Sequence, residues 1–331
     1  MKDFIEKLIS RRDLSEGEME TAFEAIMSGR AGDVQIGAFL VALRAKGETP
    51  LEIAAAARIM REKAVRVPVD FDVVDTCGTG GDGALTINIS TAVAFVLNSA
   101  GIRVAKHGNR SVSSSSGSAD CLEALGVPID LGPEQAADSL KNGGFAFMFA
   151  PRYHPSMKHA MPARKQLGMK TIFNILGPLT NPAGAAYQVI GVFDPRLVDP
   201  MAEVLRILGS KGAMVVHSGL DEVSVSGPTR YARLAGGRIE RGELIPEDAG
   251  IERQPLDELR VSTPRESAAK IEAVFEGRLK GACLDSVLIN AGAAFMALDE
   301  AVGIREGVQR ARGLVDRGRA REALERAKRV S

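Results

Sequence analysis

Apolar residues recur three and four positions apart through the first sixty residues. Phe4, Ile5 and Leu8 mark one short helix, and Met19, Phe23, Ile26 and Met27 mark a second that opens at Ser15 or Glu16. Residues 34–43 and 51–60 give a third and a fourth, and Pro68 closes the region. No alternating pattern interrupts them, so residues 1–66 predict a small all-helical domain. Its apolar faces would serve an interface as readily as a core. From Val73 the pattern changes to short apolar runs separated by helical stretches. Residues 73–76, 103–105, 145–149, 188–193 and 213–217 read as strands, with 119–125 and 200–208 among the helices. This alternation predicts an α/β domain over 71–331, a mostly parallel sheet flanked by helices whose ligands gather at the carboxyl ends of the strands. Residues 229–244 read as polar antiparallel strands or an extended hairpin, and the chain from Ser267 onward as helical.

The most crowded chemistry follows the first of these strands. Asp75-Thr76-Cys77-Gly78-Thr79-Gly80-Gly81-Asp82-Gly83 continues through Thr86-Ile87-Asn88-Ile89-Ser90-Thr91, where a helix opens. Four glycines in six positions leave the backbone open to close approach and permit positive φ. Free amides in such a loop, beside a helix N-terminus, favour anions such as phosphate. Residues 78–83 match the dinucleotide pattern G-x-G-x-x-G, but the helix opens too late and the next strand ends in Lys106 instead of an acid. A Walker A loop is excluded because Ala84-Leu85 stand where Lys-Ser/Thr is required. An ordinary glycine-rich turn is the plain alternative.

After the second strand come Lys106-His107-Gly108-Asn109-Arg110 and Ser111-Val112-Ser113-Ser114-Ser115-Ser116-Gly117-Ser118. The run supplies two cations and many hydroxyls, with Ser118 expected as the N-cap of the helix that Gly126 ends. Taken alone it is a serine-rich loop with solvated charges. Two anion-friendly loops after successive strands suggest instead a ligand with two phosphate-bearing ends.

These stretches resemble the anthranilate phosphoribosyltransferase family. The resemblance extends in order through Phe147-Met148-Phe149-Ala150-Pro151, His154-Pro155-Ser156-Met157, Arg164-Lys165-Gln166-Leu167-Gly168, residues 171–182 and Gly219-Leu220-Asp221-Glu222-Val223-Ser224. It implies a nucleoside phosphorylase/phosphoribosyltransferase-like fold, with the small helical domain joined by a segment near 165–183. It also implies transfer of the 5-phosphoribosyl group of phosphoribosyl pyrophosphate to the amine of anthranilate, with Mg²⁺, in tryptophan biosynthesis. By the same resemblance, Gly78, Gly81, Asp82, Thr86, Asn88, Ile89, Ser90 and Thr91 would hold phosphoribosyl pyrophosphate. Lys106, His107, Gly108, Asn109, Arg110, Ser111, Val112, Ser113, Ser114 and Ser118 would complete that site. Gly78, Asn109 and Arg164 would meet anthranilate, Ser90, Asp221 and Glu222 the metal, and the helical domain a second copy in a homodimer.

The residue types suit that chemistry. Arg164 offers a planar fork for a carboxylate, though helix-surface arginines are common. Asp221-Glu222 offers hard oxygens for Mg²⁺, though adjacent acids are usually only solvated. Tyr153, His154, Met157 and Pro178 would line a path for an aromatic ring or pack in the core. No strong general base is evident, and His107 reads better as a pocket wall. Lys170, Ser115 and Ser156 depart from the family's usual Arg, Lys and Ala, which touches hinge and surface details only. Two rival readings are a pyrimidine nucleoside phosphorylase, which carries a lysine-serine-glycine-arginine loop in place of 106–110, and a non-catalytic nucleic-acid-binding paralogue.

Composition narrows the classes further. Lys+Arg and Asp+Glu balance at 42 each, against a nucleic-acid coat or a membrane-surface binder. Cys77, Cys121 and Cys283 lack C-x-x-C spacing and read as reduced thiols of a cytoplasmic protein. No stretch approaches the length of a membrane span, and Met1–Glu6 lacks a signal peptide's apolar run.

Overall fold

The computed structural model describes residues 1–80, 85–110, 117–299 and 301–330. Four helices come first: α1 (Lys2–Ile9), α2 (Glu16–Met27), α3 (Asp33–Lys46) and α4 (Pro50–Lys63). Their starts are written in the sequence. Ser15 and Glu18 exchange side-chain and backbone bonds across the first turn of α2, and Thr49 does the same with Glu52 ahead of Pro50. Glu52 is fully buried, yet it accepts from the Leu14 amide (2.9 Å) and from Lys46 (2.8 Å), so the interior charge is paired.

The larger part alternates strand and helix: β1 (Val74–Gly78), α5 (Ile89–Ser99), β2 (Val104–Gly108), α6 (Ser118–Ala124), α7 (Pro133–Asn142) and β3 (Phe145–Phe149). Short helices α8 (Ala150–Tyr153), α9 (Met161–Leu167) and α10 (Phe173–Leu176) follow, then β4 (Tyr187–Gly191), α11 (Val198–Ile207) and β5 (Gly212–His217). A hairpin, β6 (Thr229–Ala235) and β7 (Arg238–Leu244), precedes α12 (Pro264–Phe275), α13 (Ala282–Ala297), α14 (Ile304–Asp316) and α15 (Arg319–Ala327). The seven strands form one sheet in the order β3-β2-β1-β4-β5-β6-β7. The first five are parallel and the hairpin adds two antiparallel strands. The strand order reverses between β1 and β4, where crevices open at carboxyl ends.

Strand alternation divides the core. Val74, Val104 and Val189 face a cluster built with α5 and α13. Ile190, Val192, Ala213 and Val215 face the opposite way, into a cluster shared with α2–α4, Ile172, Phe173 and Leu179. The helical residues therefore pack both on the 160–179 segment and on one face of the sheet. Val65 donates to the Tyr153 carbonyl (2.8 Å) and Arg61 to that of Leu179 (2.6 Å), tying α4's exit to α8 and to the end of that segment. The boundaries expected for β1, β2 and β4 shift by one to three residues, and Gly117, not Ser118, caps α6. Asp120 accepts from the Gly117 amide at 3.2 Å, so the cap needs no hydroxyl.

Candidate active site

The β1, β2 and β5 carboxyl ends bring the expected residues to one edge. Lys106 and His107 are neighbours on β2, so pleating sends their side chains to opposite faces of the sheet. Lys106 turns toward α5. Its ammonium, wholly buried, donates to the Thr76 carbonyl and to the Ser90 hydroxyl (3.2 Å) at the start of that helix. Burial lowers its pKa, and the carboxylates of Asp75 and Glu222 act against that shift. Glu222 thus lies close enough to act on the cation that touches Ser90. Lys106 links Ser90 by a hydrogen bond, and Glu222 by charge, across more than a hundred residues of chain.

Asp221 reaches the glycine loop directly. Its Oδ2 accepts from the Gly80 amide at 3.0 Å. A Cβ on Gly78 would stand 2.3 Å from that same oxygen, and one on Gly191 would overlap the Asp221 backbone, so both positions require the bare backbone. The loop after β5 is itself clamped: Val223 donates to Asn290 Oδ1 (2.8 Å), and Asn290 Nδ2 donates back to the Val223 carbonyl (2.9 Å). Among the described residues no three His, Cys, Asp or Glu side chains gather to hold a metal. Ser90, Asp221 and Glu222 are hard oxygen donors, and they fit Mg²⁺ only if a substrate's phosphate oxygens complete its shell.

At the helix end, Ser267 fixes Asn88 twice, accepting from its amide (2.9 Å) and donating to its Oδ1 (2.8 Å). Ile89 and Thr91 are buried at the start of α5. Thr86 makes an isolated bridge to Arg260. Gly108 is hemmed in by Ser118, whose hydroxyl would lie 2.1 Å from an added Cβ. The Asn109 carbonyl accepts from that hydroxyl (3.4 Å) and from the Ala119 amide (3.2 Å). Arg110 pairs with Asp120 (2.7 Å) and Glu123 (2.9 Å) of α6. Gly81, Asp82, Ser111, Val112, Ser113 and Ser114 lie outside the described residues.

His107 turns to the other face of the sheet. Its Nε2 lies 3.2 Å from Nε2 of His154, so one imidazole donates to the other. Burial holds both well below the usual histidine range, His107 at about 3, with the neighbouring His154 and Lys106 adding to the effect, and His154 at about 4. The pair is neutral near pH 7. Tyr153 is core: it is wholly buried and its hydroxyl donates to the Leu131 carbonyl (2.8 Å). Arg164, on α9, lies over the Phe173 ring (5.1 Å to the centroid) and points one nitrogen at Met161 Sδ (3.8 Å). Desolvation lowers its pKa. Among the described residues no carboxylate forms an ion pair with it.

Sequence reasoning gave no role to Asp75, Asn181, Ser267 and Asn290, which hold the site's segments in place. Two of them carry a sequence signal, a polar residue in an apolar run: Asp75 after Val73-Val74 and Asn290 after Val287-Leu288-Ile289.

Models of a glycosyl transferase family match the chain twice, the helical bundle domain over residues 2–64 and the a/b domain over residues 70–321. Anthranilate phosphoribosyltransferase of Persephonella marina is 49% identical over 335 residues, covering 100% of this chain and 99% of that one. The enzyme of Thioalkalivibrio sulfidiphilus is 51% identical, covering 98% and 97%. This chain belongs to the anthranilate phosphoribosyltransferase family. The crystal structure of the Thermus thermophilus family member superposes with a TM-score of 0.93 at 43% identity, over 98% of both chains. That of Saccharomyces cerevisiae, in complex with PRPP and Mg, gives 0.89 at 27% identity, over 98% of this chain and 95% of that one. The family's small helical and large α/β parts are those described above, and neither rival reading is favoured.

Proposed function

We propose that this chain transfers the 5-phosphoribosyl group of phosphoribosyl pyrophosphate to the amine of anthranilate, giving N-(5-phosphoribosyl)anthranilate and pyrophosphate. The observation that carries the reading is the division of labour at the end of β2. Lys106 binds Ser90 near the contact of Asp221 with the glycine loop, with the Glu222 charge acting on it, while His107 lies on the other face of β2 against His154. The first face takes the charged donor and the second the aromatic acceptor, with Gly78 and Asn109 at their junction. Residues 1–66 form the small domain in this reading, joined by the segment near 165–183, and residues 71–331 otherwise the large one.

The chemistry follows from those positions. As the bond from ribose C1 to pyrophosphate breaks, negative charge grows on the leaving group, and the Lys106 ammonium and the N-terminus of α5 stabilise it. Mg²⁺ held by Ser90, Asp221 and Glu222 would neutralise pyrophosphate charge. Arg164 orients the anthranilate carboxylate, so the amine is held facing C1, and positioning supplies much of the rate. The amine is already a nucleophile, and the depressed pKa of the His107–His154 pair makes it an uncharged wall.

Exposed Val34 and Val41 on α3 flank a groove of about 410 Å³ against Ala163 and Leu167. This face supports a homodimer through the helical domain. Three free cysteines and no described helix long and apolar enough to cross a membrane fit a cytoplasmic location. The deciding experiment is to follow anthranilate fluorescence with protein, phosphoribosyl pyrophosphate and Mg²⁺ together. Its disappearance only in the complete mixture is expected; an unchanged signal overturns the assignment.

A further inference from the structure

Asp75 is the second residue of β1, fully buried, on the His107 face of the sheet. One carboxylate oxygen accepts from the His107 amide at 3.2 Å. The other accepts from Asn181 Nδ2 at 2.8 Å. Asn181 is committed in turn: the same Nδ2 donates to the Ala105 carbonyl (2.8 Å), and its Oδ1 accepts from the Ala183 amide (2.9 Å). One carboxylate therefore links two segments, which the reading proposed above makes the walls of the acceptor's path. These are the end of β2 that carries His107, and the turn that runs from Pro178 to Ala183.

We propose that Asp75 is a positioning residue for the acceptor subsite, fixing the separation of the His107 wall from the 178–183 turn and so the slot the aromatic ring enters. Its chemistry fits that task better than an ordinary interior bond. Both neighbours present donors, so the site calls for a group that only accepts, and an ionised carboxylate is that group. An amide in its place would set a donor against a donor. Asn181 could not rotate to relieve the conflict, because its oxygen would then face the Ala105 carbonyl and leave the Ala183 amide unpaired. A buried carboxylate is otherwise unfavourable in a sheet. Burial pulls its pKa up to about 6, and Lys106, Asn181 and the His107 amide restrain the rise. Besides Lys106, the titratable groups near Asp75 are Cys77 on its own strand and His107 on β2.

The proposal rests on the acceptor assignment above, and steady-state kinetics of Asp75→Asn separates the two. The Michaelis constant for anthranilate is expected to rise at least about tenfold, as for a lost charge-assisted hydrogen bond. The constant for phosphoribosyl pyrophosphate is compared in Asn181→Ala, which leaves the Asp75 charge beside Lys106 in place, and there it should stay within about threefold. A purely structural role would shrink the active fraction, lowering kcat with both constants unchanged, and that result overturns the proposal. Asn181→Ala tests the same link without creating a donor conflict, and decides the matter if Asp75→Asn does not fold. It should raise the anthranilate constant in the same selective way, and an unchanged constant overturns the link. Failure of the wild-type protein to turn over would strike the function itself, whereas wild-type turnover with an unmoved anthranilate constant in the variants strikes only Asp75.

Discussion

Acid should unfold this protein through its buried histidine pair. An unfolded histidine takes up its proton near pH 6.5, whereas His107 and His154 in the folded chain do so only near about 3 and about 4. Below about pH 6.5 the unfolded chain thus binds more protons, and acid favours it. The stability from the neutral pair is full above that pH and is lost as pH falls toward the folded values. Going from about pH 7 to about pH 5 removes about 2 kcal/mol for each imidazole. Asp75 works in the opposite sense. Its folded pKa of about 6 exceeds the ordinary 3.8, so its contribution is present at low pH and is lost as pH rises through about 6. It returns about 1 kcal/mol over the same interval, leaving a net loss from the three groups of about 2–3 kcal/mol. His154→Gln keeps a hydrogen-bonding group beside His107 Nε2 but removes one titrating site. Urea unfolding followed by circular dichroism at the two pH values should show the variant losing about 2 kcal/mol less than the wild type on acidification. Comparing the change within each protein cancels any offset the substitution itself causes. Equal losses in the two proteins would refute the reasoning and place the acid sensitivity elsewhere.

Arg164→Ala should raise the anthranilate Michaelis constant by about one to two decades, the worth of a charge-assisted bond, with a much smaller effect on phosphoribosyl pyrophosphate. An equal rise in both would remove Arg164 from the acceptor face. Gly78→Ala should abolish turnover while circular dichroism stays native, because the new Cβ would displace the Asp221 carboxylate; full activity would show that the loop yields freely. Asp221→Ala with Glu222→Ala should cripple turnover with little change in thermal midpoint, and Mg²⁺ should bind the wild type appreciably only with phosphoribosyl pyrophosphate present. Strong calorimetric Mg²⁺ binding to the ligand-free double variant would place the metal on other residues.

The local code was sufficient for much of the architecture. Capping pairs at Ser15/Glu18 and Thr49/Glu52 fixed helix starts, and a five-residue apolar run marked β3 without error, because these signals act between near neighbours in the chain. The candidate anion-binding residues are likewise named from local signals alone, glycine spacing and the Lys106 run, which act through backbone freedom and charge. What the sequence could not say is which groups remain available. Arg110 reads as a free cation until α6 brings Asp120 and Glu123 against it, and Ser118 reads as a cap until Gly117 takes that place. Nor does any local signal join Asp75 to Asn181, Asn88 to Ser267 or Asn290 to Val223. Those bonds span from 67 to 179 residues of chain. A polar group in an apolar run is costly in the unpaired state, so its presence shows that a partner exists; only the packed sheet and helices decide which one arrives.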